Sequence, residues 1–316
     1  MLSRVADCLF WISRYLERAE SVSRLLNATF HRELDLASVA PTDDHRPWLA
    51  NLSILQQTLP DSLAGEAFRP AAVAEWLSFD ITNPGSIIGC VNRARNNARS
   101  IRGSLGPEVW RAINGLYWQL RESEFEHRAR HSPFDYYQAV ESGCHLFQGV
   151  CDATLPHDEG WEFIRLGRNL ERADKTLRTL LVKCEDLARG ADATMIALEW
   201  AAVLKGANAF ESYQRLNAGR VEPERVIEFL LLDTTFPRAV RFCLEEAARA
   251  VASIEKSTGG RGDGRAERQL GRVISELRYA EPGQLLANEF SGRLHHLLQQ
   301  CLAFGRTVHD QYLLAT

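Results

Sequence analysis

Arg14-Tyr15-Leu16-Glu17-Arg18-Ala19-Glu20 returns further along the chain as Arg168-Asn169-Leu170-Glu171-Arg172-Ala173-Asp174, at an offset of 154 residues. Arg24 falls on Arg178 at the same offset. Residues three or four apart share one face of a helix. Arg14, Glu17, Glu20 and Arg24, spaced 3, 3 and 4, therefore predict a plus, minus, minus, plus ladder on a helical face. Arg168, Glu171, Asp174 and Arg178 predict the same ladder again. Ile12, Leu16, Ala19 and Leu26 supply an apolar face to the first copy. Leu166, Leu170, Ala173, Leu177 and Leu180 supply one to the second. Both blocks read as amphipathic helices that bury the apolar face in a core.

A second pair of blocks repeats at offset 153. Glu75-Trp-Leu-Ser-Phe-Asp80, followed by Pro84 and Cys90, matches Glu228-Phe-Leu-Leu-Leu-Asp233, followed by Pro237 and Cys243. Two blocks at nearly one offset predict a duplication, with units over 1–154 and 155–316 that share one core. The junction falls where Leu155-Pro156-His157-Asp158-Glu159-Gly160 interrupts the helical pattern. Gly259-Gly-Arg-Gly-Asp-Gly264 has no counterpart in the first half and reads as an inserted loop.

The rest of the chain agrees with an all-α class, a helical bundle of two tandem pseudo-symmetric repeats. No run of alternating β-branched residues bounded by turns occurs, and typical helix and loop lengths predict roughly ten helices. Asn83-Pro84, Gly106-Pro107, Ser132-Pro133 and Glu222-Pro223 read as helix starts, because proline at the first helical position forfeits a donor that lacks an intrahelical partner anyway. Asp158 is expected to cap the second ladder helix. Asp80 and Asp233 are expected to order the loops that precede helices.

Of the 316 residues, 45% are apolar and 25% charged, the balance of a globular protein. The formal charge of −4 argues against a bulk phosphate-backbone binder, so no nucleic-acid partner is expected. No apolar stretch is long enough for a membrane helix, so no membrane is expected either. Seven dispersed cysteines without a C-x-x-C pair predict free thiols and a reduced, cytoplasmic protein. His127 and His131 lie four apart with no third ligand placed by the sequence, so no metal site is assigned. Trp11, Trp76, Trp110, Trp118, Trp161 and Trp200 are expected to fill core.

Three readings of the ladders stand at this stage. They form a structural ion-pair network joining the repeats. They form a binding surface whose arginines clamp a carboxylate while the acids hold an amine, as suits a peptide or amino acid. Or Glu17, Glu20, Glu171 and Asp174 form a carboxylate cluster for metal-dependent or acid/base catalysis, a reading weakened by adjacent arginines that repel a cation.

The opening Met1-Leu-Ser-Arg-Val-Ala-Asp-Cys-Leu-Phe-Trp-Ile-Ser-Arg-Tyr-Leu-Glu-Arg-Ala-Glu20 resembles the start of Alpha-E domain proteins. So does Asp158-Glu-Gly-Trp-Glu-Phe-Ile-Arg-Leu-Gly-Arg-Asn-Leu-Glu-Arg-Ala-Asp174. That family is helical, is named for a Glu-Arg motif matched by Glu17-Arg18 and Glu171-Arg172, and usually carries it in tandem. The resemblance implies a non-catalytic scaffold in a peptide synthesis or modification system. The implied partners are a circularly permuted ATP-grasp ligase, a transglutaminase-like protein and a relative of N-terminal-nucleophile peptidases. A peptide substrate and a homodimer are compatible with it. It implies no cofactor.

One helix breaks the symmetry. Arg95, Arg99 and Arg102 share a face, and the aligned positions in the second half are Ala248, Ala252 and Glu255. The corresponding family stretch is Ala-Arg-Glu-Asn-Ala-Arg, and Asn96 stands here in place of the acid. This face reads either as a solvated surface paired with acids elsewhere or as a patch for an anion or an acidic partner.

Overall fold

The computed structural model describes residues 3–37, 45–63, 68–187, 193–217, 219–257, 259, 263–280 and 290–313. Among them are fourteen α-helices, a five-residue π-helix and no strand. The all-α class therefore holds, with more helices than length alone suggested. Half of the inserted glycine loop (Gly260, Arg261 and Gly262) lies outside the described residues.

The chain divides into two compact units. One comprises Tyr15–Thr154 with Lys205–Asn208, and the other comprises Met1–Arg14, Leu155–Leu204 and Ala209–Thr316. The 35-residue α1 (Ser3–Ala37) gives its residues through Arg14 to the second unit and the remainder to the first.

The first unit continues with α2 (Arg46–Leu55), α3 (Pro70–Phe79), α4 (Ile87–Ser100), α5 (Pro107–Leu120), α6 (Ser123–His131) and α7 (Phe134–Thr154). Here α5 packs on α4 and α7, while α3 packs on α4. Leu16, Val22 and Leu26 of α1 are buried, as are Val91 of α4, Ile113 of α5 and Val140 of α7. Their helical spacing keeps one apolar face of each element inward. Two polar contacts tie α1 to α7: Ser23 Oγ donates to the Tyr137 carbonyl at 3.0 Å, and Cys144 Sγ to the Leu16 carbonyl at 3.3 Å.

The second unit holds α8 (Glu159–Leu187), α9 (Ala193–Gly206, its last two residues in the first unit), α10 (Phe210–Leu216), α11 (Pro223–Leu232), α12 (Val240–Ser257), α13 (Arg265–Arg278) and α14 (Phe290–Val308), followed by the π-helix His309–Leu313. α8 packs against α12 and α14, and α13 packs against the same two helices. Leu166, Leu177 and Leu180 of α8 face a core shared with Leu244, Val251, Leu270, Leu294 and Phe304. Asp158 accepts from the Gly160 amide at 2.9 Å and caps α8 as its position predicts.

Local structure repeats where the sequence does. α3 and α11 are both ten residues long and both begin at proline. Asp80 Oδ1 accepts from the Thr82 amide and hydroxyl at 2.8 and 2.6 Å, and Asp233 Oδ1 from those of Thr235 at 2.7 and 2.9 Å. These aspartates order loops, as expected. Bonding from Thr82 also keeps the half-buried Asp80 carboxyl below its usual pKa. Cys90 and Cys243 point their thiols at the carbonyls of Pro84 and Pro237.

Two expectations need correction. α4 starts at Ile87 rather than Pro84, because Ser86 is the cap and its Oγ accepts from the Gly89 amide at 2.9 Å. Asn83 instead turns the chain, accepting from the Gly85 amide. Of the six tryptophans assigned to the core only Trp200 is buried, and Trp118 is 58% exposed. Trp48 fills a core position instead.

Candidate functional site

The ladder residues lie on long helices whose polar faces are also enclosed. Glu17, Glu20, Arg24, Glu171, Arg172, Asp174 and Arg178 are all buried. Such charges require partners, since an isolated ion in a low-dielectric interior loses far more solvation than packing returns.

In the first unit Glu20 binds Arg24, one turn on, and also lies 2.9 Å from His145 Nε2. Glu17 accepts from Gln148 Nε2 at 3.3 Å. The Arg18 guanidinium lies over the Tyr15 ring.

In the second unit Arg178 grips Asp174 with Nε 3.0 Å from both carboxylate oxygens and Nη2 2.9 Å from Oδ1. Lys175 reaches the same carboxylate at 3.0 Å and Glu171 at 3.7 Å. Burial pushes the Asp174 carboxyl up, but the Lys175 charge and the Arg178 hydrogen bond outweigh it and hold it below its ordinary value of 3.8. A depressed carboxyl stabilises the fold fully above its unfolded pKa and loses that contribution as pH falls through the folded one. The stability deficit of Asp174→Asn is accordingly expected in full at pH 7 and to shrink below about pH 4, as urea titrations at both pH values will show. Arg168 is half-buried on the same helix.

The two ladder helices meet in the second unit. Arg14 Nε donates to Glu171 Oε2 at 2.8 Å, with Glu171 0% and Arg14 16% exposed. Nearby, Gly167 of α8 lies against Phe10 and Ser13 of α1. Ser13 and Gly167 are themselves equivalent at the 154-residue offset.

Beside this contact opens a cleft of 490 Å³. Trp11 and Arg14 line it from α1, and Asp174 from α8. Arg306, His309 and Asp310 line it from the end of α14 and the π-helix. The last three escaped the sequence reading, because nothing in their spacing sets them apart from an ordinary helix end. A π-helix winds more widely than an α-helix and is frequent at functional sites. This one is held by Gln311 and Tyr312, which both donate to Glu255 Oε1 of α12. Cys301 also borders the cleft, and burial pushes its thiol up to about 12, so it stays protonated.

Of the basic residues expected on one helix face, Arg95 and Arg99 lie on α4 in the first unit, whereas Arg102 falls in the turn beyond it, because α4 ends at Ser100 with Ile101 as its C-cap. Arg99 and Arg102 are exposed. Arg95 Nε donates to Asn114 Oδ1 at 2.8 Å, with its guanidinium 4.5 Å from the Tyr117 ring centroid and 5.4 Å from that of Trp118. Arg102 lies 5.2 Å from the Trp110 ring centroid. α5 thus supplies aromatic rings beside these arginines. Stacking of this kind holds guanidinium groups in place while leaving their edges open.

His127 and His131 face one another on α6 with ring centroids 5.1 Å apart. Among the described residues no group of three His, Cys, Asp or Glu side chains is arranged to hold a metal ion. No helix among them is long and apolar enough to cross a membrane.

Residues 1–313 match the Alpha-E family, described as "a predicted alpha-helical domain with a conserved ER motif". The uncharacterized protein Rv2567 of Mycobacterium tuberculosis and the uncharacterized protein Mb2597 of Mycobacterium bovis are each 28% identical to this chain. The matches cover 97% of this chain and 36% of each relative, so the chain spans about a third of the length of these curated relatives. No solved structure matches.

Proposed function

This chain belongs to the Alpha-E family, and from that membership and the geometry above we propose that it is a non-catalytic scaffold of a peptide synthesis or modification system. It gathers partners, foremost a circularly permuted ATP-grasp ligase and a transglutaminase-like protein, and leaves bond-forming chemistry to them. Glu17-Arg18, Glu171-Arg172 and the flanking ladder charges each serve the packing of their own unit, with Arg14 and Glu171 joining α1 to α8. The ligase docks on the α4–α5 face of Arg95, Arg99 and Arg102.

The observation that carries this reading is the arginine–aromatic face. The Arg95 and Arg102 guanidinium groups are stacked in place, and Trp118 is 58% exposed beside Arg95. Exposed tryptophan and arginine dominate the energy of protein interfaces, and a fixed cationic face steers an acidic partner. The ladder carboxylates suit catalysis poorly. Glu20, Glu171 and Asp174 each already hold a cationic side chain, and a metal ion would have to displace it. The mycobacterial relatives add support, since there the matching region is a part of a much longer polypeptide.

The test is co-purification with a circularly permuted ATP-grasp ligase, followed by calorimetric titration. Arg95→Glu with Arg99→Glu is expected to weaken binding at least about tenfold, and Trp118→Ala by a similar factor, with helicity and melting temperature retained. Unchanged affinity in both variants removes the docking face from the proposal.

A further inference from the structure

The cleft of the second unit combines features that the scaffold role does not use. Its 490 Å³ lies within the range of small-molecule sites. Leu170, Leu302 and Trp11 give it apolar walls. Two arginines reach it in different states. Arg14 spends its Nε on Glu171 and stacks over Phe10 and Trp11, with ring centroids at 5.6 and 5.1 Å. Those contacts fix the guanidinium while leaving its terminal amino groups unbonded among the described residues. Arg306 is exposed and has no ion pair or hydrogen bond among the described residues.

The acids of the cleft do not cancel this pair. Asp174 is already held by Lys175 and Arg178. Asp310 stands exposed at the mouth. His309 of the lining faces Asp7 at 4.0 Å, and Asp7 itself does not line the cleft. The cleft therefore offers cationic donors beside an apolar surface, with one exposed acid to discourage excess negative charge.

We infer that this cleft is a receptor for a small monocarboxylate carried on an apolar body, held by Arg14 and Arg306 against Trp11, Leu170 and Leu302. An arginine edge matches a planar carboxylate with paired hydrogen bonds. The apolar walls reward a branched side chain, which inorganic anions lack. Asp310 repels a dianion more strongly than a monoanion. The inference is independent of the docking face, whose residues belong to the other unit, so either can fail alone.

Calorimetry on the intact protein tests it with four probes: N-acetyl-leucine, N-acetyl-leucinamide, acetate and inorganic phosphate. N-acetyl-leucine is expected to bind with Kd below about 1 mM, and the other three at least about tenfold more weakly. Arg306→Gln, at an exposed position, should keep the melting temperature and weaken N-acetyl-leucine about tenfold. Asp310→Asn should tighten it, because a like charge leaves the mouth. The inference is overturned by equal binding of acid and amide, by tighter binding of phosphate, by no binding of N-acetyl-leucine up to about 10 mM, or by Arg306→Gln binding like the unmodified protein.

Discussion

Glu171→Gln is expected to destabilise the protein by about 3–5 kcal/mol, although it changes neither the volume nor the position of the side chain. Glu171 is 0% exposed and receives Arg14 at 2.8 Å and Lys175 at 3.7 Å. The amide removes the negative charge that both cations answer, and it leaves Arg14, only 16% exposed, without a carboxylate. Lys175 keeps the Asp174 carboxylate at 3.0 Å, so the loss arises mainly from Arg14, left without its carboxylate, rather than from the attraction itself, since a buried pair recovers little more than its own desolvation. A double-mutant cycle with Arg14→Gln separates these contributions and should give a coupling of about 0.5–3 kcal/mol. Urea denaturation followed by far-ultraviolet circular dichroism measures all four proteins. A Glu171→Gln penalty under about 0.5 kcal/mol, the size of an ordinary surface change, would falsify the architectural role of the motif.

Gly167→Val should cost about 3 kcal/mol and Gly167→Ala about 1–2 kcal/mol. The sign for alanine is the informative part. Gly167 lies within α8, where alanine normally gains about 0.5–1 kcal/mol over glycine. Here a Cβ would overlap the Phe10 carbonyl oxygen and Ser13 Oγ of α1, and backbone cannot step aside as a flexible side chain can. Ser13 Oγ is in addition bonded to the Phe10 carbonyl at 2.9 Å. The helices would have to separate, and Arg14, one residue beyond Ser13, would be drawn from Glu171. A stabilised Gly167→Ala protein in a thermal melt would show that α1 and α8 do not rely on this close approach.

Helical class, the ladder spacing, the cap at Asp158 and the helix start at Pro223 were all legible from the sequence, because each depends on residues within a turn or two of one another. The same locality explains the Arg24–Glu20 and Arg178–Asp174 pairs, both one turn apart. The start of α4 was misjudged within that range, since Asn83 and Ser86 both suit a cap and only the backbone shows that Ser86 serves. The exposure of Trp118 was not legible at all, because an aromatic ring at helical spacing fits a core or a surface equally well.

The sequence by itself determined that two like-patterned charged helices exist and that only one half carries the Arg95, Arg99 and Arg102 face. It could do so because periodicity and offset are properties of neighbours along the chain. Tertiary structure alone decided that Arg14 answers Glu171, a residue 157 positions away, and that α5 lays its rings against Arg95 of α4 and Arg102 just beyond it. It alone brought Arg306, His309 and Asp310 to the cleft beside Trp11 and Arg14. A buried charge takes whichever opposite charge folding brings within about 4 Å, and chain separation places no limit on that distance.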